Sequence, residues 1–380
     1  MQKQKHIVII CGEASGDLNA SYLIRAIKEI DPEIKISGVG GNLMRKSGAE
    51  LYCDIKELSV IGLFDVLKKL PKFFALKKLI LKKINTEKPN AIVLIDFSGF
   101  NLRLAKAINR KIPVIYYISP QVWASRRGRV ETIKKYIHKM IVVFKFEEEF
   151  YKKFGINADF VGHPLLDIVK PTMNREEFCA KFNLSPFKTI IALLPGSRNQ
   201  EIKNILPVML KAADLIKNNL IDAQFVIAKS TQVEWSVYNR LIAGSNLELK
   251  VIEGLAYDCL NNASFCLVAS GTATLETALM QKPFVVIYKM SLLNYLLYRP
   301  QVKLAFIGMV NIVAQKKIIP EFIQFGACPD KISQEALSVL NDPVAAELMR
   351  KELRNVRLLL GEKGAAQRAA GIILNFINKK

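Results

Sequence analysis

The chain has 380 residues, 51% of them hydrophobic, and 55 Lys+Arg against 34 Asp+Glu give it a net charge of +21. That length is too great for one ordinary core and suits two, and no uncharged apolar run approaches the ~20 residues that span a bilayer. Six cysteines without a C-x-x-C pair and three scattered histidines argue against a disulfide scaffold and against a metal site, so reduced thiols and no metal or cofactor are expected.

The first apolar stretch, Ile7–Cys11, is short and runs into a glycine-containing turn. It predicts a buried strand, not a signal peptide, and hence a cytoplasmic protein. A helical pattern follows through Leu23, Ile24, Ile27 and Ile30, and Ile34–Val39 is a second strand. Ala91–Ile95, Val114–Ile118, Met140–Phe144 and Asp159–Val161 continue the series. Continuous apolar strands separated by helices predict a parallel sheet covered on both faces. The polar stretch from Val161-Gly162-His163-Pro164 to Pro186 marks the junction between domains. The pattern restarts at Thr189–Leu194 and continues with Phe225–Ala228, Leu249–Ile252, Phe265–Ala269 and Phe284–Tyr288, ending in helices over 334–340, 345–360 and 365–377. The expected fold class is α/β, with two doubly wound Rossmann-like domains facing across a ligand cleft at the carboxyl ends of their strands.

Leu67–Ile84 breaks this rhythm. Its sequence LKKLPKFFALKKLILKKI is basic and amphipathic. It predicts a helix on an anionic membrane surface, with Phe73, Phe74, Lys77 and Lys78 in contact, against the plainer reading of a helix packed on its sheet. Leu292–Tyr298, ending in Arg299-Pro300, is a second apolar stretch that could share that contact. No RNP, KH or zinc pattern accompanies the positive charge, so a nucleic-acid partner is not expected.

Candidate chemistry gathers at strand ends. Ser270-Gly271-Thr272-Ala273-Thr274-Leu275-Glu276 follows a strand and opens a helix, where backbone N–H groups can take phosphate oxygens and Glu276 can accept from ribose hydroxyls. Pro195-Gly196-Ser197-Arg198 holds the equivalent place at the start of the second half, and Arg198 can neutralise a diphosphate leaving group. Asp96, in Ile95-Asp96-Phe97-Ser98-Gly99-Phe100-Asn101, is a general-base candidate. Gly12-Glu13-Ala14-Ser15-Gly16-Asp17 closes the first strand and makes Glu13 a second candidate; the two remain alternatives. Ser119-Pro120-Gln121-Val122-Trp123 adds an amide and an indole at a third strand end.

The strings GEASGD, IDFSGFN, SPQVWA, VGHPL, LPGSR and ASGTATLE occur in this order along the whole chain. Together they make it resemble the lipid-A-disaccharide synthase family, inverting glycosyltransferases of the GT-B type. The resemblance implies transfer of a sugar from UDP-2,3-diacylglucosamine to 2,3-diacylglucosamine 1-phosphate, giving a β-1,6-linked disaccharide and UDP. It implies an acceptor- and lipid-side domain over 1–166 and a UDP-sugar domain over 167–380, with the last helix, about 363–380, free to return to the first. Asp96 then matches the family's essential aspartate, Arg198 its arginine, Glu276 its nucleotide-side glutamate, Asn311 a donor-side asparagine and Glu13 the N-terminal acid. Gly12, Ser15, Gly16, Gln121 and Trp123 fall on the acceptor side, and Gly196, Ser197, Ser270, Gly271 and Thr272 on the donor side. It further implies a peripheral enzyme on the inner face of the inner membrane, with a homodimer left open. The nearest alternative is another GT-B enzyme acting on a UDP-sugar, such as a UDP-N-acetylglucosamine 2-epimerase. The chain departs from the family pattern at Ser98, at Ser125 and at Met309-Val310.

Overall fold

A computed structural model describes residues 4–57, 63–124, 128–298 and 304–379, with the backbone alone for 63–70, 293, 297 and 298. The family departure at Ser125 and the Arg299-Pro300 end of the second apolar stretch lie outside the described residues. The chain divides into two compact units, Met1–Asp167 with Gly361–Lys380, and Ile168–Leu360.

The first unit is a seven-stranded sheet made of β1 (His6–Ile10), β2 (Lys35–Gly40), β3 (Glu50–Asp54), β4 (Ala91–Ile95), β5 (Val114–Tyr117), β6 (Lys139–Val142) and β7 (Ala158–Phe160). Its order is β3-β2-β1-β4-β5-β6-β7, and every ladder is parallel. The second unit is a six-stranded parallel sheet with β8 (Thr189–Leu194), β9 (Ala223–Lys229), β10 (Leu249–Glu253), β11 (Phe265–Ala269), β12 (Phe284–Tyr288) and β13 (Glu321–Ile323), in the order β10-β9-β8-β11-β12-β13. In each unit the order turns back beside the first strand, the doubly wound arrangement whose ligands sit at the carboxyl ends of the strands. The central strands are buried along their length because helices cover both faces, which is why they read as unbroken apolar runs. The edge strands β3 and β13 are only partly buried and were not apparent in the sequence, since ELYCD and EFI carry no such run.

Helix Ala365–Asn378 packs on helix Ala14–Ile30 of the first unit. Its buried stripe Ala365, Ala369, Ile373 and Ile377 has the four-residue spacing of one helix face, and its alanines permit close approach. Burying Ile373 alone contributes about 2 kcal/mol. The entry to this helix is fixed by Gly364, in left-handed backbone with its N–H donating to the Asp167 carboxylate at 3.0 Å, and by Arg368, which donates to the Val161 carbonyl at 2.9 Å.

Helix Leu63–Glu87 runs through Pro71 without interruption. Leu76, Ile80 and Ile84 face the core of the first unit, and Phe73 turns inward to meet Phe97 and Phe100, with ring centroids 6.0 and 6.2 Å away. Phe74 points outward, 63% exposed, with Lys77 over its ring. Neighbours in sequence lie about 100° apart on a helix, so half-buried Phe73 packs on Phe97 and Phe100 while Phe74 is turned outward. Among the described residues no helix is long and apolar enough to cross a membrane.

Candidate active site

In the first unit the polar candidates follow from three adjacent strands. β1 leads into Gly12 and Glu13, β4 into Asp96, and β5 into Ser119–Trp123; Ile10 pairs with Leu94, and Ile95 with Tyr117. Helix Ala14–Ile30 begins earlier than the sequence suggested. Only Gly12 and Glu13 of the GEASGD string precede it, with Glu13 exposed at the N-cap and Ser15 exposed in the first turn. Gly16 is buried, and any side chain there would press on Cys11 Cβ at 3.0 Å. Asp17 serves the structure of this unit. Its carboxylate accepts from the backbone N–H groups of Gly41, Leu43 and Met44 at 2.7–3.1 Å and so caps helix Asn42–Lys46.

Asp96 and Phe97 are consecutive non-glycine residues in left-handed backbone, with φ of 48° and 46°. Such strain persists only where the surroundings impose it, and it is concentrated at functional sites. Two side chains hold the Asp96 carbonyl: Tyr116 Oη donates to it at 2.5 Å and Asn101 Nδ2 at 2.9 Å. The N-cap of helix Ser98–Ile108 is Phe97, so Asp96 does not cap that helix, and its carboxyl is open to other work. Protein surrounds that carboxyl although part of its surface stays exposed; burial first, and the negative Glu13 second, push it up to about 7. The departure at Ser98 has a local partner, since its hydroxyl accepts from Arg129 Nη1 at 3.1 Å.

Gln121 is exposed, whereas Trp123 is only 8% exposed and its Nε1 donates inward to Glu147 Oε1 at 3.0 Å. The indole N–H of Trp123 is therefore already engaged inside the protein. Glu147, unrecognised in the sequence, is 1% exposed, and burial pushes it up to about 7 against the pull of its hydrogen bonds from Trp123 and the backbone. Nothing local marks it out; its partner lies 24 residues away. His163 of the VGHPL string is pushed down to about 3 by burial and is neutral at pH 7.

In the second unit, Gly196 has a φ of 111°, and a side chain there would meet Glu201 Oε2 at 2.6 Å. That carboxylate accepts from Ser197 N and from Arg198 Nη1, both at 3.2 Å. Arg198 is the N-cap of helix Asn199–Asn219, and its side chain is 71% exposed. At the end of β11, Gly271 has a φ of 154° and open space where a side chain would stand, so a ligand can approach its backbone. Ser270 Oγ donates to the Ile307 carbonyl at 2.9 Å, and Thr272 is exposed. Glu276, in helix Ala273–Leu279, accepts from Tyr257 Oη at 3.1 Å, and burial raises its carboxyl.

Asn311 is fully buried, with both ends of its amide engaged inside the protein. Its amide nitrogen donates to the Ile319 carbonyl and to Glu321 Oε1, both at 2.8 Å. Its oxygen accepts from Ile318 N at 2.9 Å and Ile319 N at 3.0 Å. Two donors and two acceptor contacts exhaust a carboxamide. Glu321 in turn accepts from Ile307 N and Gly308 N at 2.9 Å, so Asn311 fixes the loop on which Ser270 rests. Among the described residues no group of three His, Cys, Asp or Glu side chains is placed to hold a metal ion.

Comparison with known proteins identifies the family of the chain. The sequence model of the lipid-A-disaccharide synthetase family matches residues 7–374. A lipid-A-disaccharide synthase of Syntrophus aciditrophicus is 41% identical over 377 residues, covering 99% of this chain and 98% of the relative. Those of Geobacter sulfurreducens and Coxiella burnetii are 39% and 37% identical, each covering 98% of this chain and 98% or 99% of the relative. Among solved structures, a Neisseria meningitidis UDP-GlcNAc 2-epimerase bound to UDP-GlcNAc aligns with a TM-score of 0.63 at 11% identity, over 99% of this chain and 100% of that one. The calicheamicin glycosyltransferase CalG4 aligns with a TM-score of 0.63 at 14% identity, over 100% and 99%. At these identities the structural neighbours establish the GT-B type of α/β fold, and the epimerase reading has nothing beyond that fold. With a whole-chain family match and relatives near 40% identity, the chain belongs to the lipid-A-disaccharide synthase family of glycosyltransferases.

Proposed function

We propose that the protein transfers 2,3-diacylglucosamine from its UDP derivative to the 6-hydroxyl of 2,3-diacylglucosamine 1-phosphate, with inversion at C1. The observation that carries the mechanism is the Asp96 carboxyl, held at a strained strand end and pushed up to about 7, where it can exchange a proton near neutrality. The 6-hydroxyl oxygen forms the new bond to C1 as the bond from C1 to the diphosphate oxygen breaks. The hydroxyl proton passes to Asp96, and UDP leaves with the electron pair. Glu13 raises the basicity of Asp96 through its negative charge and is the alternative base.

In this reading the second unit takes the donor. Backbone groups of Gly196, Ser197, Ser270, Gly271 and Thr272 receive the diphosphate, Arg198 offsets its charge, and Glu276 accepts from the ribose. The first unit takes the acceptor beside Gly12, Ser15, Gly16 and Gln121. Phe74, Lys77 and Lys78 on helix Leu63–Glu87 meet an anionic membrane surface, which places the enzyme peripherally on the cytoplasmic face of the inner membrane, where acylated substrates reside. Asp96→Asn tests the base: turnover is expected to fall about 100-fold or more with the donor KM nearly unchanged. A mild loss would move the role to Glu13.

A further inference from the structure

Helix Lys145–Lys152 follows β6 and touches the segment after β5 at two points. Trp123 Nε1 donates to Glu147 at 3.0 Å, and Ser119 Oγ and Tyr151 Oη are hydrogen-bonded at 2.6 Å. Glu147 and Tyr151 are four residues apart, on one face of that helix. Ser119 and Trp123 are the first and last residues of the segment they bound. Both ends of Ser119–Trp123 are thus fastened to one rigid element, while Gln121 in its middle is exposed. All four anchoring side chains are buried, and the other Glu147 oxygen accepts from Phe144 N at 3.3 Å. Phe146 braces Trp123 edge-on, with centroids 5.1 Å apart.

A buried carboxylate is costly unless its hydrogen bonds are complete, and an apolar residue would pack the same space without that demand. What the pair accomplishes is geometric: it fixes a short segment at the end of the strand that adjoins the Asp96 strand. We propose that Glu147 and Tyr151 are positioning residues that clamp Ser119–Trp123 so that Gln121 is presented to the acceptor sugar. The inference rests on the acceptor assignment of the first unit. It makes Gln121 the contact and the two buried residues its support.

The test uses the full-length protein with UDP-2,3-diacylglucosamine and 2,3-diacylglucosamine 1-phosphate. Tyr151→Phe and Glu147→Ala are expected to raise the acceptor KM about tenfold while the donor KM and kcat stay within about twofold, with Glu147→Gln intermediate because its amide oxygen still accepts from Trp123. Gln121→Ala alone is expected to raise the acceptor KM to a similar extent, and adding Tyr151→Phe to it to change little further. Should Glu147→Ala fail to fold, Tyr151→Phe, which loses one hydroxyl and keeps the ring, carries the same test. An unchanged acceptor KM, equal shifts in both KM values, or full multiplication of the effects in the double variant would overturn the clamp. A wild-type protein that makes no disaccharide from these substrates would overturn the acceptor reading beneath it.

Discussion

The ring of Phe97 occupies the space that a side chain at Gly12 would need: a methyl group there would stand 2.3 Å from its Cγ. The ring cannot simply withdraw, because it is stacked on Phe100 at 5.1 Å and packed against Phe73. The end of β1 and the end of β4 are therefore fitted to each other through one glycine and one phenylalanine, and Asp96 is the residue next to that phenylalanine.

Gly12→Ala is accordingly expected to cost about 1–3 kcal/mol of stability and to lower turnover by moving Asp96. Thermal unfolding and initial rates measure both. Gly99→Ala is the control: nothing lies within 4 Å of the new methyl, and the position is helical. It should be neutral, or stabilising by about 0.5–1 kcal/mol.

The Asp96 carboxyl, pushed up to about 7 by burial and by Glu13, predicts a pH dependence in two observables. As the proposed base, Asp96 acts in its ionised form, so kcat is expected to rise as pH rises through about 7 and then level off. Stability moves the other way. A carboxyl whose folded-state pKa is raised binds its proton more tightly in the folded protein, so its contribution is present at low pH and is lost as pH rises through about 7. Asp96→Asn, neutral at every pH, should be more stable than the wild type above that point. Denaturant titrations at pH 6 and pH 8.5 check the sign.

Asn311→Ala removes four hydrogen bonds and leaves the Ile318 and Ile319 N–H groups unsatisfied. A loss of about 2–4 kcal/mol is expected. UDP affinity, measured by calorimetry below the melting transition, is expected to fall modestly, through the loosened loop under Ser270 and not through a lost contact, because the amide has no capacity left for a ligand. Glu276→Ala should do the reverse, weakening UDP while costing little stability.

What could be read in the sequence was what repeats or stands alone locally. The apolar runs Ala91–Ile95, Thr189–Leu194, Phe265–Ala269 and Phe284–Tyr288 coincide with strands, since burial on both faces removes any need for alternation. Gly196 and Gly271 were recognisable because the chain turns there in left-handed backbone. Residues whose meaning lies in a distant partner stayed hidden: Glu147 needs Trp123, Asp17 needs Gly41, and Asn311 needs Glu321. Phe73 and Phe74 looked equivalent until the helix turned them to opposite environments. The whole-chain string of motifs carried the family, and hydrogen bonding then showed which of its residues support the fold.

The outward face of helix Leu63–Glu87 carries Phe74 with Lys72 and Lys78. Replacing Lys72, Lys77 and Lys78 by glutamate should release the protein from anionic vesicles, since each basic residue near such a surface contributes about 1 kcal/mol. Flotation with vesicles of mixed zwitterionic and anionic lipid measures it. Phe74→Ser should weaken binding without unfolding, whereas Phe73→Ser should destabilise the first unit.

The central claim is sugar transfer between two acylated glucosamines, and the direct measurement is product formation from the purified substrates. Incubated with UDP-2,3-diacylglucosamine and 2,3-diacylglucosamine 1-phosphate, the protein is expected to release UDP only when both are present and to yield a β-1,6-linked disaccharide 1-phosphate in equal amount. UDP release no greater than background, or release independent of the acceptor, would contradict the account.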